Sequence, residues 1–395
     1  MTSLPPLFPD VTLIPYKGKY QIQLEVFNDA TITTSDIDKI LTLASWEQHP
    51  QTIAEGYEGG RSILINREKP FNRGKIAFNA LQLSGIGYQK FKQTDQEGTV
   101  HVVDKTFYPP TSHNFLEGLS QRAGGYSYAK GNQIIDKRSS YLPYGTYLQR
   151  ELETKIKNTC HIATYSPKHF VVPTIEAYGR YLDPNLSKDG APFGFILLNA
   201  PSTSAKRFYD GLFKKMMYDN PKKPAELFRT EMKKCFTLLP TALRELHDLG
   251  YAHLQPHFSN FYILNDTLLL VDWETLITLD TRKEDTELDF ASNRALDFKI
   301  PLQQYYNALD NFFPSLWTEI KDICYKEIVA QATSCYLTHK QEHPFNLQRE
   351  KTRYDLDDFM NWMLQFDPRI SEELYKRYMN AIETKKTLHI ATIPQ

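Results

Sequence analysis

The stretch GYAHLQPHFSNFYILNDTLLLVDWE, Gly250 to Glu274, decides how the chain is read. It opens on a glycine, the residue that most easily adopts the left-handed backbone ending a helix. Two strand-like runs, FYIL and TLLLV, then flank Asn265-Asp266, a dipeptide suited to a tight hairpin turn. His253 and Asn260 stand seven positions apart in the loop before the first run, and Asp272 directly follows the second. One hairpin therefore brings together an amide oxygen and a carboxylate. Such hard donors suit Mg²⁺ or Mn²⁺ shared with the phosphates of a nucleotide. On this reading Asn260 and Asp272 are the metal ligands, while His253 supports the loop through hydrogen bonds. The plainer alternative is that His, Asn and Asp fall in a helix-loop-hairpin by chance, the Asp serving only as a structural acceptor.

The flanking sequence divides into two regimes. Up to about residue 200, short apolar stretches of strand length alternate with Gly, Pro, Asn and Asp: RSILIN, IAFNALQLSG, TVHVVDKTFY, HFVVPTIEAYGRYL and FGFILLNAP. A single helix is expected within this region, near 145–160, where Leu148, Leu152 and Ile156 recur every four residues. From Pro224 the period becomes helical, with Phe228, Met232, Cys235, Leu239, Leu243 and Leu246 on one face and a kink or break expected at Pro240. More helices are expected from Pro301 onward, the last starting at Ser371, a good N-cap. Lysines and arginines between Lys206 and Lys234 read first as a solvated helix face and second as a phosphate-binding surface. The expected class is α+β, bilobal, with a β-rich lobe over 1–200 and a mainly helical lobe over 201–395 that carries segment 250–274.

The loop follows the spacing of the protein-kinase pattern H-R-D-x-x-x-x-N, with Asp272 where the D-F-G aspartate belongs. It also resembles the loop of aminoglycoside phosphotransferases and atypical kinases, H-x-D-x-H-x-x-N followed by I-D-(F/W)-E, with His257 at the second histidine. A more particular resemblance spans scattered segments from Gly59 to Glu274. GGRSILIN, LQLSGIGYQ, RELETKI and GFILLNAPS occur in the order of matching segments of the selenoprotein O family, kinase-fold pseudokinases that transfer AMP to proteins. The resemblance implies that Glu151 is the helix glutamate that pairs with an ATP-phosphate lysine, and that Gly85 and Gly87 form a close-approach turn near phosphate. Three departures stand out. Ser84 replaces the family's lysine in L-Q-L-K-G, and Leu198 replaces an arginine, although Lys206 and Arg207 lie a few residues on. Extra residues between Ser84 and Glu151 point to an insertion near 90–140, where Lys105 is a candidate to take over phosphate binding, against the plainer reading of a solvated strand lysine.

Where a kinase carries its catalytic aspartate, this chain has Gln255, whose amide cannot serve as a base near neutral pH. Loss of a positioned base costs about 10²–10⁴-fold, which disfavours ordinary protein-kinase activity. Three readings remain: an ATP- and Mg²⁺-dependent AMP transferase acting on a protein or small-molecule hydroxyl, a scaffold that binds nucleotide or a partner without catalysis, and a small-molecule phosphotransferase with His257 as relocated base. The first is preferred.

Bulk composition is compatible with all three. Of 395 residues, 41% are hydrophobic and 24% charged, and 46 basic residues face 47 acidic ones, so nothing suggests nucleic acid or an anionic membrane as partner. The longest apolar run is too short to span a bilayer, and prolines interrupt the N-terminal segment where a signal peptide would be apolar, so a cytoplasmic protein is expected. Cys160, Cys235, Cys324 and Cys335 are scattered, read best as buried thiols, and lack metal-site spacing.

Overall fold

The computed structural model describes residues 3–89 apart from Gly59, short stretches between 93 and 136, residues 145–216 and 224–278, and a set of positions between 297 and 336. The chain is α+β, with one large antiparallel sheet and several helices. It forms two compact units. The first comprises Met1–Tyr126, Lys137–Arg207 and Leu269–Glu274, and the second Ser127–Asp136, Phe208–Leu268 and Thr275–Gln395.

The sheet of the first unit uses β1 (Val11–Lys17), β2 (Gln21–Phe27), β3 (Gly56–Glu58), β4 (Ser62–Arg73), β5 (Ile76–Ser84), β6 (Ile175–Tyr181) and β7 (Gly194–Ala200). Their spatial order is β1-β2-β6-β7-β5-β4-β3. Helices α1 (Thr34–Ala44) and α2 (Gln149–Thr164) contribute to separate apolar clusters of this unit. Alternation along a strand sends successive side chains to opposite faces, so β7 divides its apolar run. Phe195 and Leu197 join Ile40, Leu43 and Trp46 from α1 and its exit, whereas Ile196 and Leu198 join Leu152 and Ile156 of α2. Every residue of β7 is buried, which explains an uninterrupted GFILL where a half-exposed strand would alternate with polar residues. Each such side chain removed from water contributes about 1.5–3 kcal/mol.

Helix α1 was not anticipated. Its signal is the reciprocal cap at Thr33, whose hydroxyl accepts the Asp36 N–H while the Asp36 carboxylate accepts the Thr33 N–H. Leu148 is the N-cap residue of α2 and lies outside the helical face that it was expected to share with Leu152 and Ile156. Of the expected strand TVHVVDKTFY, Val100–His101 and Phe107–Tyr108 are strands, and residues 102–105 lie outside the described residues. β1 is an edge strand, and Pro15 sits in it opposite Gln23 of β2.

In the second unit α3 (Phe208–Lys214) precedes α4 (Pro224–Asp248). Pro240 does not divide α4, which is one 25-residue helix. Proline costs such a helix about 3 kcal/mol, and burial of Phe236, Leu239, Leu243 and Leu246 around it outweighs that cost. Helix α4 ends as expected, with Gly250 at φ 86°. Tyr251–Ala252 then pairs with Ile277–Thr278, and Asn265 and Asp266 both have positive φ between the strands Phe261–Leu264 and Thr267–Leu270. The buried Asp297 carboxylate accepts the backbone N–H groups of His253 and Leu254, and it lies 3.0 Å from His247 Nε2. Burial pushes this carboxyl up to about 7, against the two backbone donors.

Among the described residues no disulfide joins the four cysteines. Cys235 is buried as expected, but Cys160 is exposed and the other two are half-buried, because Cys160 faces away from the apolar side of α2. No described helix is long and apolar enough to cross a membrane. The helix expected from Ser371 lies outside the described residues.

The sheet demands a small residue at position 179. Gly179 of β6 is opposite Phe195 of β7, and a Cβ there would lie 1.9 Å from the ring. Gly179→Ala is expected to lower the urea midpoint by the equivalent of about 1–3 kcal/mol. Phe195→Leu in the same chain should recover part of that loss, and an unchanged midpoint for Gly179→Ala would refute the packing argument.

A candidate site of paired charges around Asp272

Asp272 lies in the first unit, between the strand Thr267–Leu270 and the short turn Trp273–Thr275. Its φ is 63°, in a region that non-glycine residues enter rarely and mostly at sites held by their surroundings. Two cations hold it. Lys155 Nζ donates to Oδ1 at 2.7 Å, and Arg207 Nη1 donates to Oδ2 at 2.5 Å. Lys155 also lies 3.2 Å from Glu274 Oε2, while Arg207 Nε donates to Glu58 Oε1 at 2.6 Å. Five side chains thus form one chain of alternating charge.

Helical geometry accounts for the part played by α2. Leu152 and Ile156 face the sheet, while Lys155 and Asn158, three residues apart, share another flank. Asn158 Nδ2 donates to the carbonyl of Trp273 at 2.8 Å, so the same flank binds the backbone next to Asp272. Trp273 is itself buried, with its ring 5.9 Å from that of Phe170. Arg207 reaches Asp272 from the segment that leaves β7.

Electrostatics keeps Lys155 and Asp272 ionised. Burial favours neutral Lys155, but the attraction of Asp272 and then of Glu274 outweighs it and raises the lysine above its ordinary value. Burial likewise opposes ionised Asp272, yet Arg207 and Lys155 hold its carboxyl well below the usual carboxylate range. The Lys155 side chain is only 5% exposed and that of Asp272 23%, so the carboxylate is the wetter end of the pair.

The residues singled out from sequence are placed as follows. Glu151 closes the N-terminus of α2, its carboxylate accepting the Leu148 N–H at 3.2 Å. Burial raises its pKa, chiefly against the opposing charge of Arg61. Ser84, at the end of β5, is buried and joined through its hydroxyl to Ser62 Oγ at 2.8 Å and Tyr147 Oη at 2.9 Å. Gly85 has φ 98°, and a Cβ there would meet Tyr147 at 2.8 Å; a Cβ on Gly87 would meet the Tyr108 carbonyl at 2.3 Å. The close approach at both glycines is therefore to the chain's own backbone and rings. Lys105 lies outside the described residues.

His257 and Asn260 belong to the second unit. The Asn260 side chain donates to the Gln255 carbonyl at 2.9 Å, and its backbone N–H donates to the His257 carbonyl. His257 Nδ1 accepts the Ser259 N–H at 3.2 Å, which places the proton of a neutral ring on Nε2. His253 has the expected supporting part: its N–H donates to Asp297 and its carbonyl accepts the Thr275 hydroxyl at 2.6 Å.

Lys155, Glu58 and Asp297 were not legible as site residues. Lys155 lies four residues beyond Glu151, and no spacing in the sequence singles it out. A scan against protein-family models and a search of curated proteins both find no match.

The depressed pKa of Asp272 gives its ion pairs a defined pH range. Their contribution is complete above the unfolded value of about 4 and is lost as pH falls from there toward the folded value. Asp272→Asn leaves Lys155 and Arg207 facing an amide and is expected to cost about 3–5 kcal/mol at pH 7. Urea titrations of wild type and variant should show this gap narrowing as pH falls below ~4. A gap that stays constant would show that charge is not what Asp272 supplies.

Proposed function

We propose that the chain is an ATP- and Mg²⁺-dependent nucleotidyltransferase with a kinase-like fold, its first unit the β-rich lobe and its second the helical lobe. The acceptor is a hydroxyl of a protein or a small molecule. The observation that carries this reading is the half-buried, ionised Asp272 between two cations, located where the resemblance to selenoprotein O puts a metal ligand. The order of elements adds support. In kinases the strand that carries the phosphate-binding lysine precedes the helix that carries its glutamate, and here β5 precedes α2, with short strands between them.

The residues present fit a magnesium nucleotide. Asp272 is an ionised oxygen donor, and among the described residues no group of three or more His, Cys, Asp or Glu gathers around a metal. That suits an ion taking its remaining ligands from phosphate and water, as Mg²⁺ does. When bound, Mg²⁺ would neutralise phosphate charge and polarise the phosphorus centre. The Arg207 guanidinium presents a planar fork matched to phosphate oxygens. In AMP transfer the acceptor oxygen bonds to the α-phosphorus, the α–β P–O bond breaks, pyrophosphate leaves, and the hydroxyl proton passes to solvent or a base. Gln255 cannot be that base, and His257 Nδ1 is engaged by Ser259.

A scaffold without catalysis is the second reading. It is favoured by the pairing of both Asp272 carboxylate oxygens with protein cations, an arrangement complete without a ligand.

Incubation with α-labelled or γ-labelled ATP separates the readings. AMP transfer marks the product from the α-label only, and phosphoryl transfer from the γ-label only. ATP with Mg²⁺ should also raise Tm by several degrees at saturating nucleotide. No shift at millimolar ATP, and no label transferred, would eliminate the enzyme and leave a scaffold whose partner is something other than nucleotide.

A further inference from the structure

We infer that Lys155, on helix α2, is the lysine that anchors the nucleotide phosphates in this chain, in place of the strand lysine that Ser84 has displaced. The assignment rests on the nucleotide-binding reading above and names its phosphate ligand.

The usual kinase arrangement places a lysine on a strand and a glutamate on the next helix, and their ion pair aims the lysine at phosphate. Here both partners have changed. The end of β5 carries Ser84, whose hydroxyl is tied to Tyr147 and Ser62, so the position holds no charge. The helix glutamate, Glu151, is spent on the N-terminus of α2 and lies near Arg61. One turn further along the same helix is Lys155, about 6 Å from Glu151 by helical spacing. The cation has moved from strand to helix, and its partner has changed from a glutamate to Asp272.

Three further observations favour a ligand role. Lys155 is the one buried lysine among the described residues, and a buried ammonium is costly unless something uses it. Its Nζ is fixed from three directions: Asp272 at 2.7 Å, Glu274 at 3.2 Å, and the Tyr147 ring centroid at 5.4 Å. Tyr147 also hydrogen-bonds Ser84, so the ring that orients the new lysine covers the place of the old one. Finally, Asp272 is more exposed than Lys155, so a cation coming from solvent reaches the carboxylate end first. A divalent cation arriving with the nucleotide would compete with Lys155 for Asp272 and release the ammonium to phosphate. Exposed Lys206 has no comparable fixation.

Wild-type protein tests the assignment directly through an acyl-phosphate derivative of ATP. A lysine amine beside the phosphates attacks the acyl carbonyl, the C–O bond to phosphate breaks, ATP leaves, and the amine proton goes to solvent. Peptide mass spectrometry then locates the new amide. The expected result is acylation of Lys155 that excess ATP suppresses. ATP-suppressible acylation of another lysine, such as Lys105 or Lys206, with Lys155 unmodified, would overturn the assignment while leaving nucleotide binding intact. Absence of ATP-suppressible acylation, together with no thermal shift by ATP, would overturn both. Calorimetry on variants gives an independent readout. Lys155→Met should weaken ATP binding roughly tenfold or more and leave adenosine binding unchanged, since adenosine has no phosphate to anchor. Lys155→Arg should retain most of the ATP affinity. Equal ATP affinity in wild type and Lys155→Met would refute the inference.

Discussion

The attraction of Lys155 and Arg207 for one carboxylate organises the charged cluster of the first unit. Asp272 links three segments distant in sequence: helix α2, the exit from β7, and the short turn at Trp273–Thr275. A buried ionic cluster of this kind is a poor way to gain stability, because desolvation cancels most of the Coulomb attraction. Apolar side chains of similar volume would hold the segments together as well. Retaining five charges there makes sense if some of them meet a charged ligand, and strongly perturbed ionisable groups concentrate at such sites.

The fold supplies the rigidity that the cluster needs. Helix α2 is held by Leu152 and Ile156 against Tyr178, Ile196 and Leu198, so its sheet-facing side cannot rotate without opening the core. That fixes the flank bearing Lys155 and Asn158. Asn158 binds the Trp273 carbonyl and Lys155 binds the preceding carboxylate, so two neighbouring contacts set the left-handed backbone of Asp272. In the second unit, Asp297 has a comparable task. It binds two consecutive N–H groups of the loop after α4, where Leu254 has φ 65°.

Much of the architecture is written locally and could be read directly. The strands from Ser62 to Ser84 and from Ile175 to Ala200 follow apolar stretches bounded by Gly, Pro or Asn, and α4 follows its three- and four-residue spacing to Gly250. The Asn265-Asp266 turn adopts the positive φ values that its composition favours. Helix α1 carries a capping signature at Thr33, but its Ile and Leu residues lie among strand-like text and were absorbed into it. Pro240 shows the opposite failure, a local breaker overruled by packing on both sides. Glu151 and Lys155 mark the deeper limit. Helical periodicity places both on α2, but which charge reaches Asp272 depends on a segment more than a hundred residues away. Asp297 was invisible for the same reason.

The margin of the large sheet has a consequence for how the molecule meets others of its kind. Among the described residues no strand pairs with the outer hydrogen-bonding edge of β1, and such an edge invites another extended chain to add itself. Pro15 lies midway along that strand and has no N–H to offer, so any ladder begun there is interrupted. This ring therefore acts as a guard against runaway self-association, a task performed by one residue without charge.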